Sequence, residues 1–200
     1  MRATLTAGLL FGLAGCGPNA IPATRNDSAA VAPSPSASPV TPTPRPTATA
    51  SSILVAIEGE GLRLIDPDSG RTRPIAFGTP RRQTLSALAA RGQPETGTNT
   101  ECGAGPLAWA RFSDGLTVQF KDDRVAGWSV DRAAEGKVTT MAGIGPGSTR
   151  AALEGAYAIE MPDSTLGIEF AAGDMGGLLD GPGKDAKVTD MWAGVTCMFR

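Results

Sequence analysis

The chain has 200 residues, 41% of them hydrophobic and 19% charged, with a formal net charge of −2. That length suits one domain of ordinary size or two small ones, and the charge balance argues against bulk nucleic-acid binding. There is no histidine, which excludes Ser-His-Asp and Cys-His catalysis and removes most zinc sites and the usual general base near neutral pH.

The chain opens with Arg2 and an apolar run from Leu5 to Leu13. This run is too short to span a bilayer, which takes about 20 residues, and residues 1–15 read as a signal segment. It ends in Leu13, Ala14, Gly15 and Cys16. These residues resemble the lipobox of bacterial lipoproteins. The resemblance implies cleavage before Cys16, acylation of its thiol and a membrane anchor. A plain secretory signal with an incidental cysteine is the alternative. Two or more acyl chains hold stably where one does not, at about 0.8 kcal/mol per buried methylene. By the same resemblance, Gly17 in place of Asp leans towards the outer membrane in a Gram-negative cell, with the domain facing the periplasm or the exterior.

Residues 16–52 are Cys16 followed by a stretch rich in Pro, Ser, Thr and Ala. Such a composition cannot bury enough apolar surface to offset the cost of ordering its backbone. Its prolines favour extended polyproline II segments. The segment is expected to be a disordered tether, reaching roughly 100 Å when extended.

The composition changes at Ile53, and residues 53–200 read as the globular domain. Residues 53–78 are leading strands. Ile53 to Ile57 reads as a strand with Val55 and Ile57 on one face, and Leu62 to Ile65 pairs with Thr72 to Phe77 around the turn formers Asp66, Pro67, Asp68 and Gly70. A calcium loop from Asp66 would end at Phe77, where a Glu is required, so a hairpin is the reading. Thr79 is placed as a helix cap, Pro80 at the first helical position and Gly92 at the end, with Leu85, Leu88 and Ala89 as the apolar stripe. A polar loop carrying Cys102 follows. Three strands come next, from Pro106 to Phe112, Leu116 to Phe120 and Arg124 to Val130, with turns at Asp114-Gly115 and Asp122-Asp123.

The order then recurs. Residues 141–157 read "MAGIGPGSTRAALEGAY", a glycine turn and a helix with Ser148 as its cap and Leu153, Ala156 and Tyr157 as its stripe. Three strands follow, and the last holds Cys197. Phe112 matches Phe170, Leu116 matches Leu178 and Trp128 matches Trp192, at offsets of 58, 62 and 64. The fold class expected is α+β, with two tandem repeats over 79–138 and 139–200, each a helix and an antiparallel three- or four-stranded meander. The turn-and-helix starts "FGTPRRQTLSALAARGQP" and "GIGPGSTRAALEGAY" resemble two families: outer-membrane assembly lipoproteins of the SmpA/OmlA (BamE) type and beta-lactamase inhibitory proteins. The resemblance implies a non-catalytic module that binds or assembles with an envelope protein, or an inhibitor or sensor of an enzyme.

With Cys16 lipidated, Cys102 and Cys197 are left as one pair in a compartment where disulfides persist. A reactive thiol is the rival, although neither has a CxxC neighbour. Residues 53–92 carry a net charge of +2 and residues 151–200 one of −5. Arg71, Arg73, Arg81, Arg82, Trp109, Trp128 and Trp192 are candidate binding-surface residues, with solvated arginines and core tryptophans as the plainer reading. No nucleophile–base pair is visible, so no enzyme and no cofactor is expected. The glycine run lacks the lysine of a P-loop and the parallel strand of a dinucleotide site. It is therefore expected to be a turn, with neither nucleotide nor nucleic acid as a partner.

Overall fold

Local turn chemistry sets the first layer. In the computed structural model, which describes residues 53–197, Asp66 Oδ1 accepts the backbone N–H groups of Asp68 and Ser69, each at 3.0 Å. This closes the hairpin of β2 (Gly61–Ile65) and β3 (Thr72–Ala76), and β1 (Leu54–Glu58) pairs with β2 to complete a three-stranded antiparallel sheet. The signal segment, Cys16 and the tether lie outside the described residues. Among the described residues no helix is long and apolar enough to cross a membrane.

A seven-stranded antiparallel sheet forms the second layer. Its strands are β4 (Glu95–Asn99), β5 (Leu107–Arg111), β6 (Leu116–Lys121), β7 (Arg124–Val130), β8 (Ile168–Ala172), β9 (Met175–Leu179) and β10 (Val188–Gly194). The spatial order is β4-β5-β6-β7-β10-β9-β8, so the last strands of the two meanders pair in the middle. The class is mixed α+β. Helix α1 (Arg81–Ala87) precedes the first meander and α2 (Arg150–Ala156) precedes the second.

Register decides which side chains are core. Ala110, Val118, Trp128, Ala193, Met175 and Ala172 lie opposite one another across six strands and are all buried. Leu116, Val130, Met191, Gly177 and Phe170 form the next such row. Leu88 after α1, Leu153 of α2 and Val55, Ile57, Leu62, Leu64 and Ile75 of the small sheet join the same buried cluster. The helices and the small sheet therefore cover this face. Trp128 ties the layers together: its ring is fully buried and its Nε1–H donates to the Glu58 carbonyl at 2.8 Å. Ile57 N–H donates to the Thr139 carbonyl at 3.0 Å beside it.

Several expectations need correcting. Helix α1 has Pro80 at its cap position with no side-chain cap, and it gives way to a 3-10 turn at Ala89–Arg91 that Gly92 ends at φ 92. Thr79 is therefore no cap. The buried residues there are Thr84 and Leu88, one turn apart, while Ala89 is exposed. The cap of α2 is Thr149, whose side chain accepts from Ala152 N–H at 3.1 Å; Ser148 Oγ instead accepts from Gly145 N–H at 3.1 Å. Of its stripe, Leu153 is buried, Tyr157 is half-buried and Ala156 is exposed. Thr149→Ala is expected to cost about 1 kcal/mol of stability and Ser148→Ala less, read from urea unfolding midpoints. Equal losses would contradict the assignment of the cap.

Two of the three residue matches between the halves fall on opposite faces of the sheet. Phe112 and Phe170 are both buried. Leu116 faces the core, but Leu178 pairs with Glu169 and Asp190 on the other face. Trp128 pairs with Ala193, and Trp192 pairs with Ser129, one position along. Because strand side chains alternate, a one-residue difference moves the indole to the opposite side.

Candidate binding face

The other face of the large sheet carries a different chemistry. One row runs Gly97, Trp109, Gln119 and Gly127 across β4 to β7. The next runs Arg111, Thr117, Ser129, Trp192 and Gly176 across β5, β6, β7, β10 and β9. Four of these nine residues are polar, three are glycine and two are tryptophan, so this side differs in chemistry from the apolar core face.

Each indole lies over a glycine of the neighbouring strand. A Cβ at Gly97 would sit 2.5 Å from Trp109 Cζ2, and one at Gly176 would sit 2.7 Å from Trp192 Nε1. Any side chain there would lift the ring, which is the positional meaning of these two strand glycines. Trp109 keeps part of its surface in solvent, whereas Trp192 is 7% exposed.

Two adjoining hollows open on this face. One, of about 220 Å³, lies beside Trp109, Gln119, Asn99 and Leu107. The other, of about 230 Å³, lies beside Trp192, Arg111, Asp131 and Asp190. Thr117 and Ser129 line both, so the two hollows adjoin and together make up the groove side of the sheet. Arg111 and Asp131 are ion-paired at its charged end.

The chain after β10 crosses this face as a strap. Gly194 turns at φ 72, Val195 N–H donates to the Ala126 carbonyl at 2.8 Å, and the Val195 carbonyl lies where a Cβ of residue 127 would be, 2.4 Å from it. Gly127 is what admits the crossing. Thr196 and Cys197 then form one wall of the Trp109 hollow. Cys197 lies beyond the last strand, not within it. Its Sγ accepts from Asn99 Nδ2 at 3.2 Å. Cys102, in the loop between β4 and β5, is its neighbour: burial first, then a hydrogen bond and charge from Cys102, push the Cys197 thiol up to about 11. Both cysteines are thiols in the structure, so the expected pair is brought together but is not joined.

The remaining candidates divide. Trp128 belongs to the core and leaves the binding-surface set. Arg81 and Arg82 line a separate hollow with Pro80, Leu85 and Asp123, where the Arg81 guanidinium lies 5.2 Å from the Phe120 ring centre. Arg71 and Arg73 are exposed on or beside β3 and line neither that hollow nor the groove. Comparison with protein families, curated proteins and solved structures finds no match to this chain.

The glycine run has its amides occupied. Gly143 N–H bonds to the Thr140 carbonyl, Ile144 N–H to Thr140 Oγ1, Gly145 N–H to Ser148 Oγ, Gly147 N–H to the Val188 carbonyl and Ser148 N–H to the Gly145 carbonyl. Residue 146 is proline and has no N–H to offer. A phosphate cradle needs several such amides pointing at the ligand, and here they hold the loop together. The Glu135 carboxylate also packs against Gly147.

Of the groove lining, the candidate surface residues include Trp109 and Trp192 and none of the polar side chains. Thr117, Gln119, Ser129 and Arg111 escape a reading of the sequence, because nothing local marks a polar strand residue as lining a groove. Gly97, Gly127 and Gly176 were a usable signal: glycine inside a strand often marks a close approach of another group.

Proposed function

We propose that this protein is a membrane-anchored lipoprotein of the cell envelope that acts as a non-catalytic protein-binding or assembly module, with the groove side of the large sheet as its binding face. The observation that carries the reading is this face: two adjoining hollows, lined by two indoles and an Arg–Asp pair, on the side of the sheet away from the core. Indoles and arginine are the residue types that dominate protein interfaces. The anchor at Cys16 and the tether rest on the lipobox resemblance, with the outer membrane favoured in a Gram-negative cell. The two helix-plus-meander halves are read as a duplication on the strength of their shared element order, not on residue-for-residue matching.

The second reading is an inhibitor or sensor of the beta-lactamase inhibitory protein type. Trp109 and Trp192 on one sheet face favour it, since such a face suits the capture of a partner's loop. The address is tested with Cys16→Ala. Wild-type protein is expected to incorporate labelled palmitate and to partition with membranes, and the variant to do neither. A wild-type protein that carries no lipid would remove the anchor from the proposal.

A further inference from the structure

The edge of a sheet exposes a row of unpaired backbone N–H and C=O groups, and natural proteins cover or blunt it. Among the described residues the two sheets have four edges, β1 and β3 in one, β4 and β8 in the other. Three of these are managed. Beyond β1, Ile57 N–H donates to the Thr139 carbonyl at 3.0 Å. Beyond β8, Ala171 and Glu160 exchange both backbone bonds, each at 2.9 Å. Strand β3 carries Pro74, which has no N–H, next to the exposed Arg73. The fourth edge, β4, has neither cover nor blunting. Its five residues include no proline and no basic residue, and it pairs with β5 in unbroken register. Among the described residues, no backbone group of 95–99 bonds to another backbone group outside that pairing.

We propose that β4 pairs with β4 of a second copy of this chain, antiparallel, about a two-fold axis through Gly97. In that register the strand complements itself. Glu95 lies opposite Asn99 of the partner subunit, so a carboxylate meets an amide and not a second charge. Thr96 lies opposite Thr98 of the partner subunit on both sides of the axis, a cross-strand pair that favours strand pairing. Glu95, Thr96 and Thr98 are all exposed in the single chain, so no packed side chain has to move. Opposite residues of a sheet point to the same side, so the axis stands perpendicular to it. The two large sheets then run on as one, with both groove faces on the same side. Trp109 lies over Gly97 with Cζ2 and Nε1 among its nearest atoms, so the indoles of the two copies flank the seam. An extended segment of another protein would satisfy the same backbone groups, but nothing in β4 selects its side chains. A five-residue strand pair is smaller than the contact of a tight complex, so the dimer is reversible and depends on concentration. The inference rests on neither the anchor nor the protein-binding reading.

Sedimentation velocity of the full chain in density-matched detergent, from low micromolar to submillimolar concentration, reads the association, and amide hydrogen exchange locates it. The expected result is a monomer–dimer equilibrium in which the β4 amides that face away from β5 gain protection as the dimer forms. Thr96→Lys combined with Thr98→Lys sets like charges opposite each other on both sides of the axis. It should weaken the dimer by about tenfold or more without lowering the melting temperature, because both threonines are exposed. Thr96→Glu combined with Thr98→Glu should do the same. An equimolar mixture of the two double variants should pair at least as tightly as the wild type, a rescue that requires the two strands to face each other. A monomer at every concentration, a dimer that the double variants leave unchanged, a mixture that does not pair, or protection gained away from β4 would overturn the proposal. So would β4 amides fully protected in the monomer, which would mean that the chain covers its own edge. Those outcomes leave the protein-binding and anchor readings to be judged by their own experiments.

Discussion

Trp128→Ala is expected to lower the stability of the domain by about 3–5 kcal/mol, while Trp109→Ala lowers it by only about 1 kcal/mol. The two indoles sit on the same sheet but on opposite faces. Trp128 is completely buried, packs among Val118, Val130 and Met191 in the common core, and donates its N–H to the Glu58 carbonyl of the small sheet. Truncation removes a large apolar surface, leaves a cavity between two layers and strips Glu58 of a hydrogen bond. Trp128→Phe separates these effects: it keeps most of the apolar contact and loses the donor, at about 1–3 kcal/mol. Trp109 lies over Gly97 with part of its ring already in water, so its removal leaves an open surface that water can fill and no closed cavity. Chemical unfolding at constant m-value measures all three. Equal losses for the two alanine variants would contradict the assignment of faces.

The second large effect concerns the strap. In the oxidised protein Cys102 and Cys197 are expected to form a disulfide, and reducing it is expected to cost about 4 kcal/mol in the chain-entropy model. The thiols are already neighbours, and the bridge would fasten the chain that crosses Gly127 to the loop between β4 and β5. The bond forms between the two sulfurs with loss of two protons and two electrons, the electrons passing to a disulfide or quinone oxidant of the compartment. Peptide mapping of the non-reduced protein should recover the two cysteines linked, and the unfolding midpoint should fall on reduction. In the reduced, folded protein Cys197 should alkylate more slowly at pH 8 than in the unfolded chain, because the thiolate is the nucleophile and its thiol is pushed up to about 11. Free-thiol labelling of both residues in the non-reduced, folded protein would contradict the bridge.

What could be read from the residues was mostly local. The Asp66–Gly70 hairpin and the Asp122-Asp123 turn were legible because turn chemistry acts over four residues, and both aspartates of the second turn indeed take positive φ, 51 and 56. The sequence of strand β4 reads as loop: Glu95, Thr96, Gly97, Thr98 and Asn99 show no apolar alternation, because the strand sits at a sheet edge and one of its positions must be glycine to lie under Trp109. The expected cap lies one residue from the actual one because Ser148 and Thr149 are both hydroxyl residues, and only the backbone course decides which of them meets the helix. The faces of the tryptophans were out of reach for a related reason. Register across β7 and β10 is set by pairing between distant segments, and a single step reverses a side chain. The groove and the strap depend wholly on such pairing. Only the strand glycines hinted at them.

The central claim, that the groove side of the large sheet meets a protein partner, is tested most directly by site-specific photo-crosslinking in intact envelopes. A photoreactive residue is placed at Thr117, in the middle of the groove, and in a second strain at Arg73, exposed on β3 of the small sheet. The account predicts a discrete protein adduct from position 117 and none from position 73. No adduct at 117, or the same adduct from both positions, would contradict it.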